Sequence, residues 1–215
     1  MLGESANAGC ARVAGGPSLA RAKIGVCIPL GSPWVVAEWA LSLRRLKLSP
    51  NSEWFFHRGP LPVDKARTRL VGEALGRGCD FIFFLDSDVV VQQDAVLRLL
   101  ALRYPITSAM IPDKGGRAGA WREGQSVWIE RGAAIMDEAV LGACLIDARV
   151  FEKVEKPWFV YEFEGGLDNK PSEDMYFFRK CAKFGLKPLV DGDVKGRHIF
   201  VGAMTEPTKI EHLAV

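Results

Sequence analysis

Phe81-Ile82-Phe83-Phe84-Leu85-Asp86-Ser87-Asp88 changes character in one step, from five consecutive apolar residues to two carboxylates separated by one serine. A strand with one wet face alternates apolar and polar residues. A continuous apolar run instead describes a strand covered on both faces, as in a parallel sheet with helices packed on each side. In open α/β sheets, ligands gather beyond the carboxyl ends of the strands. The stretch therefore predicts a buried central strand over 81–85, with Asp86 and Asp88 at the edge where chemistry is done.

Toward the N-terminus, residues 23–29 read as a strand stopped at Pro29 and followed by the loop Gly31-Ser32-Pro33. Residues 35–46 carry apolar positions at helical spacing. A strand follows over 53–56, then a helix over 63–75 with Asp64 near its start and Gly76 and Gly78 past its end. Toward the C-terminus, Asp94 stands where it could cap a helix over 95–102, and 106–111 reads as another strand. The order βαβαβαβ implies a doubly wound, Rossmann-like α/β domain with a mainly parallel central sheet.

The second half is less regular. Residues 113–124 hold four glycines and two arginines and read as a flexible loop. Residues 126–129 and 135–137 read as short strands forming a hairpin, and 140–146 as an apolar run ahead of Arg149-Val150-Phe151-Glu152-Lys153. A second glycine-containing loop over 163–171 leads into a helix over 172–184, closed by Gly185. From Leu189 onward the pattern fades, although His198 lies there. The organisation expected is a flexible extension over 1–22, one domain over 23–200 and a tail over 201–215.

A chain of 215 residues, 48% apolar and 25% charged, suits one packed domain rather than disorder. Its formal charge of +2, with no block of like charges, argues against a nucleic-acid partner. The five cysteines, at 10, 27, 79, 144 and 181, lack zinc-site or redox-motif spacing and read as reduced, buried thiols of a cytoplasmic protein. No apolar run approaches the roughly 18 residues of a transmembrane segment, so any membrane association would be peripheral. Glu4, Arg12 and the lack of an apolar core in the first residues do not suit a signal peptide.

Two carboxylates as close as Asp86 and Asp88 raise each other's proton affinity unless a cation intervenes. A hard divalent ion such as Mn²⁺ or Mg²⁺ takes oxygen ligands and keeps positions open for phosphate, so it can neutralise a departing diphosphate. An Asx turn would also place Asp at a strand end. The apolar strand directly ahead favours the metal reading.

Several stretches together resemble the nucleotide-sugar-dependent glycosyltransferases of the GT-A fold, close to the family-2 group. They are Ile28-Pro29-Leu30-Gly31, Ala66-Arg67-Thr68-Arg69, Phe84-Leu85-Asp86-Ser87-Asp88, the run 140–146 with Arg149-Val150-Phe151, Ser172-Glu173-Asp174, and His198. The resemblance implies a hexosyltransferase that moves a sugar from a UDP- or GDP-sugar to a glycan, lipid or protein hydroxyl with inversion. It assigns Pro29, Leu30, Arg67, Asp86 and Ser87 to the donor, and Asp86, Asp88 and His198 to Mn²⁺ or Mg²⁺. Asp174 becomes the catalytic base and Glu173 the acceptor contact. Where many family-2 enzymes close the second strand with a base-reading aspartate, this chain has Phe56-His57-Arg58-Gly59, which leaves the nucleotide open.

Other readings of these residues compete. Acidic residues at 173 and 174 suit a helix N-terminus on dipole grounds alone. Arg67 and Arg69, two apart on a helix, cannot share a face, so one points to solvent. Lys114, Arg117, Trp121 and Arg122 could fold over a donor or sit in a solvated loop. Trp158, Phe159 and Tyr161 read as core rather than as a sugar platform. Asp86-Ser87-Asp88-Val89-Val90 also fits the nucleophile motif of haloacid dehalogenase-type phosphatases, but there the motif opens the fold, whereas here about three strands precede it. A non-catalytic nucleotide-sugar-binding module is the third alternative.

Overall fold

The structure, a computed structural model, describes residues 21–59, 61–112, 116–161 and 172–199. The element order is β1 (Ile24–Leu30), α1 (Ala37–Arg45), β2 (Glu53–Arg58), α2 (Val63–Gly76), β3 (Phe81–Leu85), β4 (Val89–Val91), α3 (Ala95–Ala101) and β5 (Ile106–Met110). Then come β6 (Ala120–Arg122), β7 (Gln125–Ser126), β8 (Ala133–Ile135), β9 (Glu138–Ala139), β10 (Ala143–Asp147), α4 (Ala148–Lys153), α5 (Glu173–Ala182) and β11 (Leu189–His198).

The main sheet runs β2-β1-β3-β10-β5-β11-β4, with β8 pairing β11. The β1 strand is parallel to β2 and β3, and β5 is parallel to β11. Strand β10 lies antiparallel between β3 and β5, with Ala143 opposite Leu85. From β1 the chain moves outward to β2, then crosses back over β1 to β3. The crevice between β1 and β3 is therefore a topological switch point, where ligands of doubly wound sheets bind.

Alternate side chains of each central strand feed opposite layers. Ile24, Val26, Ile28, Phe83, Leu85, Ala143 and Leu145 pack with Trp39 of α1 and with Val96, Leu99 and Leu100 of α3. Cys27, Ile82, Phe84, Cys144 and Ile146 pack with Leu70, Val71 and Ala74 of α2, Val150 and Phe151 of α4, and Phe177, Phe178 and Cys181 of α5. Burying each large apolar side chain contributes roughly 1.5–3 kcal/mol relative to leaving it exposed. The apolar run 81–85 is continuous because both of these layers need filling. Cys27, Cys79, Cys144 and Cys181 are buried free thiols, and Cys10 lies outside the described residues.

Three sequence-based expectations are corrected. The hairpin joins β6 to β7, not 126–129 to 135–137, and its first strand and turn lie in the stretch read as a flexible loop. Its turn is Glu123-Gly124, with φ of 51° and 75°, the left-handed pair that a two-residue hairpin turn requires. Strand β8 joins β11 instead. The polar segment beyond Leu189 is the ten-residue strand β11, whose register shifts between Asp191 and Lys195. Asp191 accepts the Asp193 amide at 2.8 Å there, so the acids that obscure the strand pattern shape its irregularity. The 163–171 loop and the 201–215 tail lie outside the described residues, as does the 1–22 extension up to residue 20. Ala22 is fully buried. Among the described residues, no helix is long and apolar enough to cross a membrane.

Helix α2 packs closely on β1 at Gly25, where an added Cβ would stand 2.9 Å from Ala74 Cβ and 3.1 Å from Cys79 Sγ. Gly25→Val should destabilise the protein by about 1–3 kcal/mol through overpacking. Gly72, inside α2 with open space around it, provides the contrast: Gly72→Ala should stabilise by roughly 0.5–1 kcal/mol. Urea denaturation of the two variants checks both signs.

Candidate active site

The Asp86–Asp88 turn is held by its backbone from several sides. The Asp86 amide donates to Gly142 O at 3.0 Å, and the Asp86 carbonyl accepts from Trp39 Nε1 at 2.9 Å and from Val89 N at 3.1 Å. The Ile199 amide donates to Asp88 O at 2.7 Å. Gly142 leaves room for the acid, since a Cβ there would stand 3.2 Å from Asp86 Oδ2 and 3.3 Å from Val89 Cγ2. Both carboxylates are half-buried, as is Ser87 between them.

Facing Asp86 is Arg67, which α2 carries at the carboxyl edge of the sheet. Arg67 is 2% exposed. Its Nη2 donates to Asp86 Oδ1 at 2.9 Å and Oδ2 at 3.2 Å, and its Nε donates to Glu173 Oε1 at 3.2 Å. The same Nη2 lies 3.9 Å from Asp174 Oδ1, and the guanidinium carbon sits 5.0 Å from the centre of the Phe84 ring. Arg69, by contrast, points outward and pairs with Glu73 at 2.8 Å, so the two arginines do face opposite ways.

Ser172 caps α5, its hydroxyl accepting the Met175 amide, and this sets Glu173 and Asp174 in the first turn. Asp174 Oδ2 accepts the Leu141 amide at 3.0 Å. Three carboxylates thus surround one buried guanidinium. Burial opposes the Arg67 charge, but Asp86, Asp174 and Glu173 outweigh it and hold the guanidinium protonated. Burial, then repulsion from Glu173, pushes the Asp174 carboxyl well above the usual range, and Arg67 only partly offsets this. Glu173 moves the other way: burial works against its charge, yet Arg67 and hydrogen bonds from Asp174 and Tyr161 outweigh it and keep its pKa low. Two neighbouring acids with opposed proton affinities are the arrangement from which acid/base chemistry is built.

On the far side of the turn, β4 pairs antiparallel with β11, setting His198 opposite Val89. This register carries His198 Nδ1 to 3.6 Å from Asp88 Oδ1. Asp88 and His198 are thus brought together, while Asp86 turns toward Arg67. Among the described residues, no three His, Cys, Asp or Glu side chains converge as a metal-holding group. Pro29, buried at the end of β1, is in register with His57 of β2, and Leu30 is half-buried beside it.

Other sequence candidates fall elsewhere. Arg122, in the small β7-β6-β9 sheet that also takes up Trp121, donates to Ile135 O of β8 at 2.6 Å. Lys114 lies outside the described residues, whereas Arg117 lies within them. Trp158 and Phe159 are core, as the sequence indicates. Tyr161 is only half-buried and bonds Glu173, and its phenol pKa is raised by burial and then by that carboxylate. The sequence reading missed Trp39, which holds the Asp86 carbonyl, and the Tyr161 contact with Glu173. Spacing carries no signal for either, because both depend on loops that bring distant segments together.

No protein-family model matches the sequence, and neither does any curated protein. Solved structures do resemble the fold. A197 from STIV superposes with a TM-score of 0.63 at 19% identity, over 84% of this chain and 86% of that one. GalNAc-T7, in a crystal structure with UDP, GalNAc and Mn²⁺, gives 0.60 at 13% identity, over 84% of this chain and 44% of that one. TarS 1–349 from S. aureus gives 0.53 at 14% identity, over 80% of this chain and 60% of that one. The chain thus spans less than half of GalNAc-T7 and about three-fifths of TarS 1–349. GalNAc-T7 and TarS are GT-A glycosyltransferases, and at such identities the likeness is one of architecture. This chain has a GT-A-like α/β fold with a mainly parallel central sheet.

Proposed function

We propose that the protein is a metal-dependent glycosyltransferase that moves a sugar from a nucleoside diphosphate to an acceptor hydroxyl with inversion. The observation that carries this reading is the cluster at the switch-point edge. There His198 stands beside Asp88, and Arg67 links Asp86 to the acids of α5, in a GT-A-like fold.

The residues fit a divalent ion. Two ligand atoms on one ion lie at most about 4.2 Å apart, given bonds near 2.1 Å. The Asp88–His198 separation of 3.6 Å satisfies this. Mg²⁺ and Mn²⁺ need only one or two protein ligands when a diphosphate and water complete the shell. Asp88 and His198 would hold Mn²⁺ or Mg²⁺, with Asp86 beside them, and the ion would neutralise charge on the departing diphosphate. Pro29, Leu30, Asp86 and Ser87 border the donor. Asp174 takes the acceptor proton: its raised affinity suits a general base, which works best with a pKa near the operating pH. Glu173 supports the acceptor side by keeping its negative charge beside Asp174. In the phosphatase alternative Asp86 would attack phosphorus, whereas here its carboxylate is tied to Arg67. The acceptor classes that suit this chemistry are glycan, lipid and protein hydroxyls.

A thermal-shift panel of UDP, GDP and their sugars, each with and without Mn²⁺, tests the reading. Stabilisation by one nucleotide that requires the metal is the expected result. Turnover of an aryl phosphate without any sugar donor would overturn it in favour of a phosphatase. Asp88→Ala should melt within a few degrees of the parent while losing its metal-stimulated donor cleavage, measured as nucleoside diphosphate released.

Asp174→Asn preserves shape and the Leu141 contact but removes the base, and turnover should fall by about 10²–10⁴-fold. The same variant has a pH signature. Asp174 binds its proton more tightly folded than unfolded, so its contribution to stability is complete below the unfolded value of about 3.9 and declines as pH rises through the raised folded value. Over that window the parent should lose stability relative to Asp174→Asn, as read by denaturation midpoints across pH.

A further inference from the structure

The proposed reaction leaves Arg67 without an evident task. If it gripped the donor diphosphate, its guanidinium should face the open edge. It does not. The side chain is 2% exposed, Nη2 and Nε are bonded to Asp86 and Glu173, and Nη1 is itself buried with no hydrogen-bond partner among the described residues. Its plane lies over Phe84. The three elements it touches are the ones whose relative placement the reaction needs: α2 carries Arg67, the end of β3 carries Asp86, and α5 carries Glu173 and Asp174.

We infer that Arg67 is a positioning residue that fastens the acid pair of α5 to the Asp86–Asp88 turn, setting where the base stands relative to the donor without itself binding the donor. The planar guanidinium suits this because its donors diverge in fixed directions, here Nη2 toward β3 and Nε toward α5. Lysine offers a point charge and cannot span both partners. Glu173 is the other half of the tie, since without its charge Arg67 holds α5 only through the longer approach to Asp174. The Leu141 amide, bonded to Asp174 Oδ2, reports whether that acid stays in place.

This inference rests on the glycosyltransferase reading for its kinetic consequence but not for its structural one, and the experiment separates the two. The full chain and the variants Arg67→Lys, Arg67→Met, Glu173→Gln and Arg67→Lys/Glu173→Gln are compared in three ways. These are affinity for UDP and GDP with Mn²⁺ by calorimetry, donor turnover, and hydrogen exchange of the Leu141 amide. Arg67→Lys should keep nucleotide affinity within about threefold, lower kcat by roughly 10²-fold and speed Leu141 exchange by about tenfold. The double variant should lose no more than the worse single one, because the two residues act as a unit. If Arg67→Met does not fold, Arg67→Lys and Glu173→Gln still cut the tie from each end. Nucleotide affinity weakened tenfold or more, with Leu141 exchange unchanged, would make Arg67 a donor ligand and overturn the inference. So would additive kinetic losses, or unchanged turnover and exchange in both single variants. A parent protein that turns over no nucleotide sugar sinks the glycosyltransferase reading instead, and Leu141 exchange then decides the role of Arg67 alone.

Discussion

A guanidinium buried among three carboxylates organises this molecule. Removing Arg67 from water is costly, and the cost is offset only because Asp86 and Glu173 bond it directly and Asp174 stands 3.9 Å away. Taking away one partner of such a pair strands a charge in the interior, at about 3–5 kcal/mol. The arrangement is therefore intolerant of displacement, and it ties α2, β3 and α5 together at the edge where ligands of such sheets bind. Burial and the charge of Glu173 raise the proton affinity of Asp174, while Arg67 lowers that of Glu173. The burial that makes the ion pair necessary also sets the proton affinities of the two acids apart.

The packing beneath explains how Arg67 comes to be there. Helix α2 lies closely against β1 because Gly25 removes the side chain that would hold it off. Leu70, Val71 and Ala74, one to two turns beyond Arg67, anchor the helix in the apolar layer, and Phe84 forms the floor under the guanidinium. Charge cluster and core share the same strand: Phe84 faces the α2 layer, Leu85 the α1 and α3 layer, and Asp86 emerges at the edge.

The opposite half of the site depends on strand pairing. His198 approaches Asp88 because β11, after its irregular middle, pairs antiparallel with β4 and leaves His198 against Val89. A one-residue slip would turn the imidazole to the other face. The Ile199 amide on the Asp88 carbonyl pins this register. Asp88 and His198 thus owe their meeting to backbone hydrogen bonds, whereas Asp86 and Asp174 owe theirs to an ion pair.

Local patterns in the sequence were enough for the doubly wound half of the fold. Strand β3 occupies 81–85 as its apolar run indicates, and β1, α1, β2, α2, α3 and β5 fall within a few residues of their periodic signals, because each buries a face whose period the chain must display. Asp86 and Asp88 could also be singled out by residue type and position, whereas Asp174 and His198 stood out mainly through the family resemblance. What sequence could not convey was who faces whom. Helical period says that Arg67 and Arg69 diverge, but not which one turns inward. Strand β11 was hidden because its polar residues are satisfied by an irregular backbone rather than by alternation, and the hairpin turned on two left-handed residues inside a glycine-rich stretch. The insertion of β10, the pairing of β4 with β11 and the opposed proton affinities of Glu173 and Asp174 arise from burial and contacts between distant segments. Such interactions exist only once the chain has closed, so tertiary structure alone decided them.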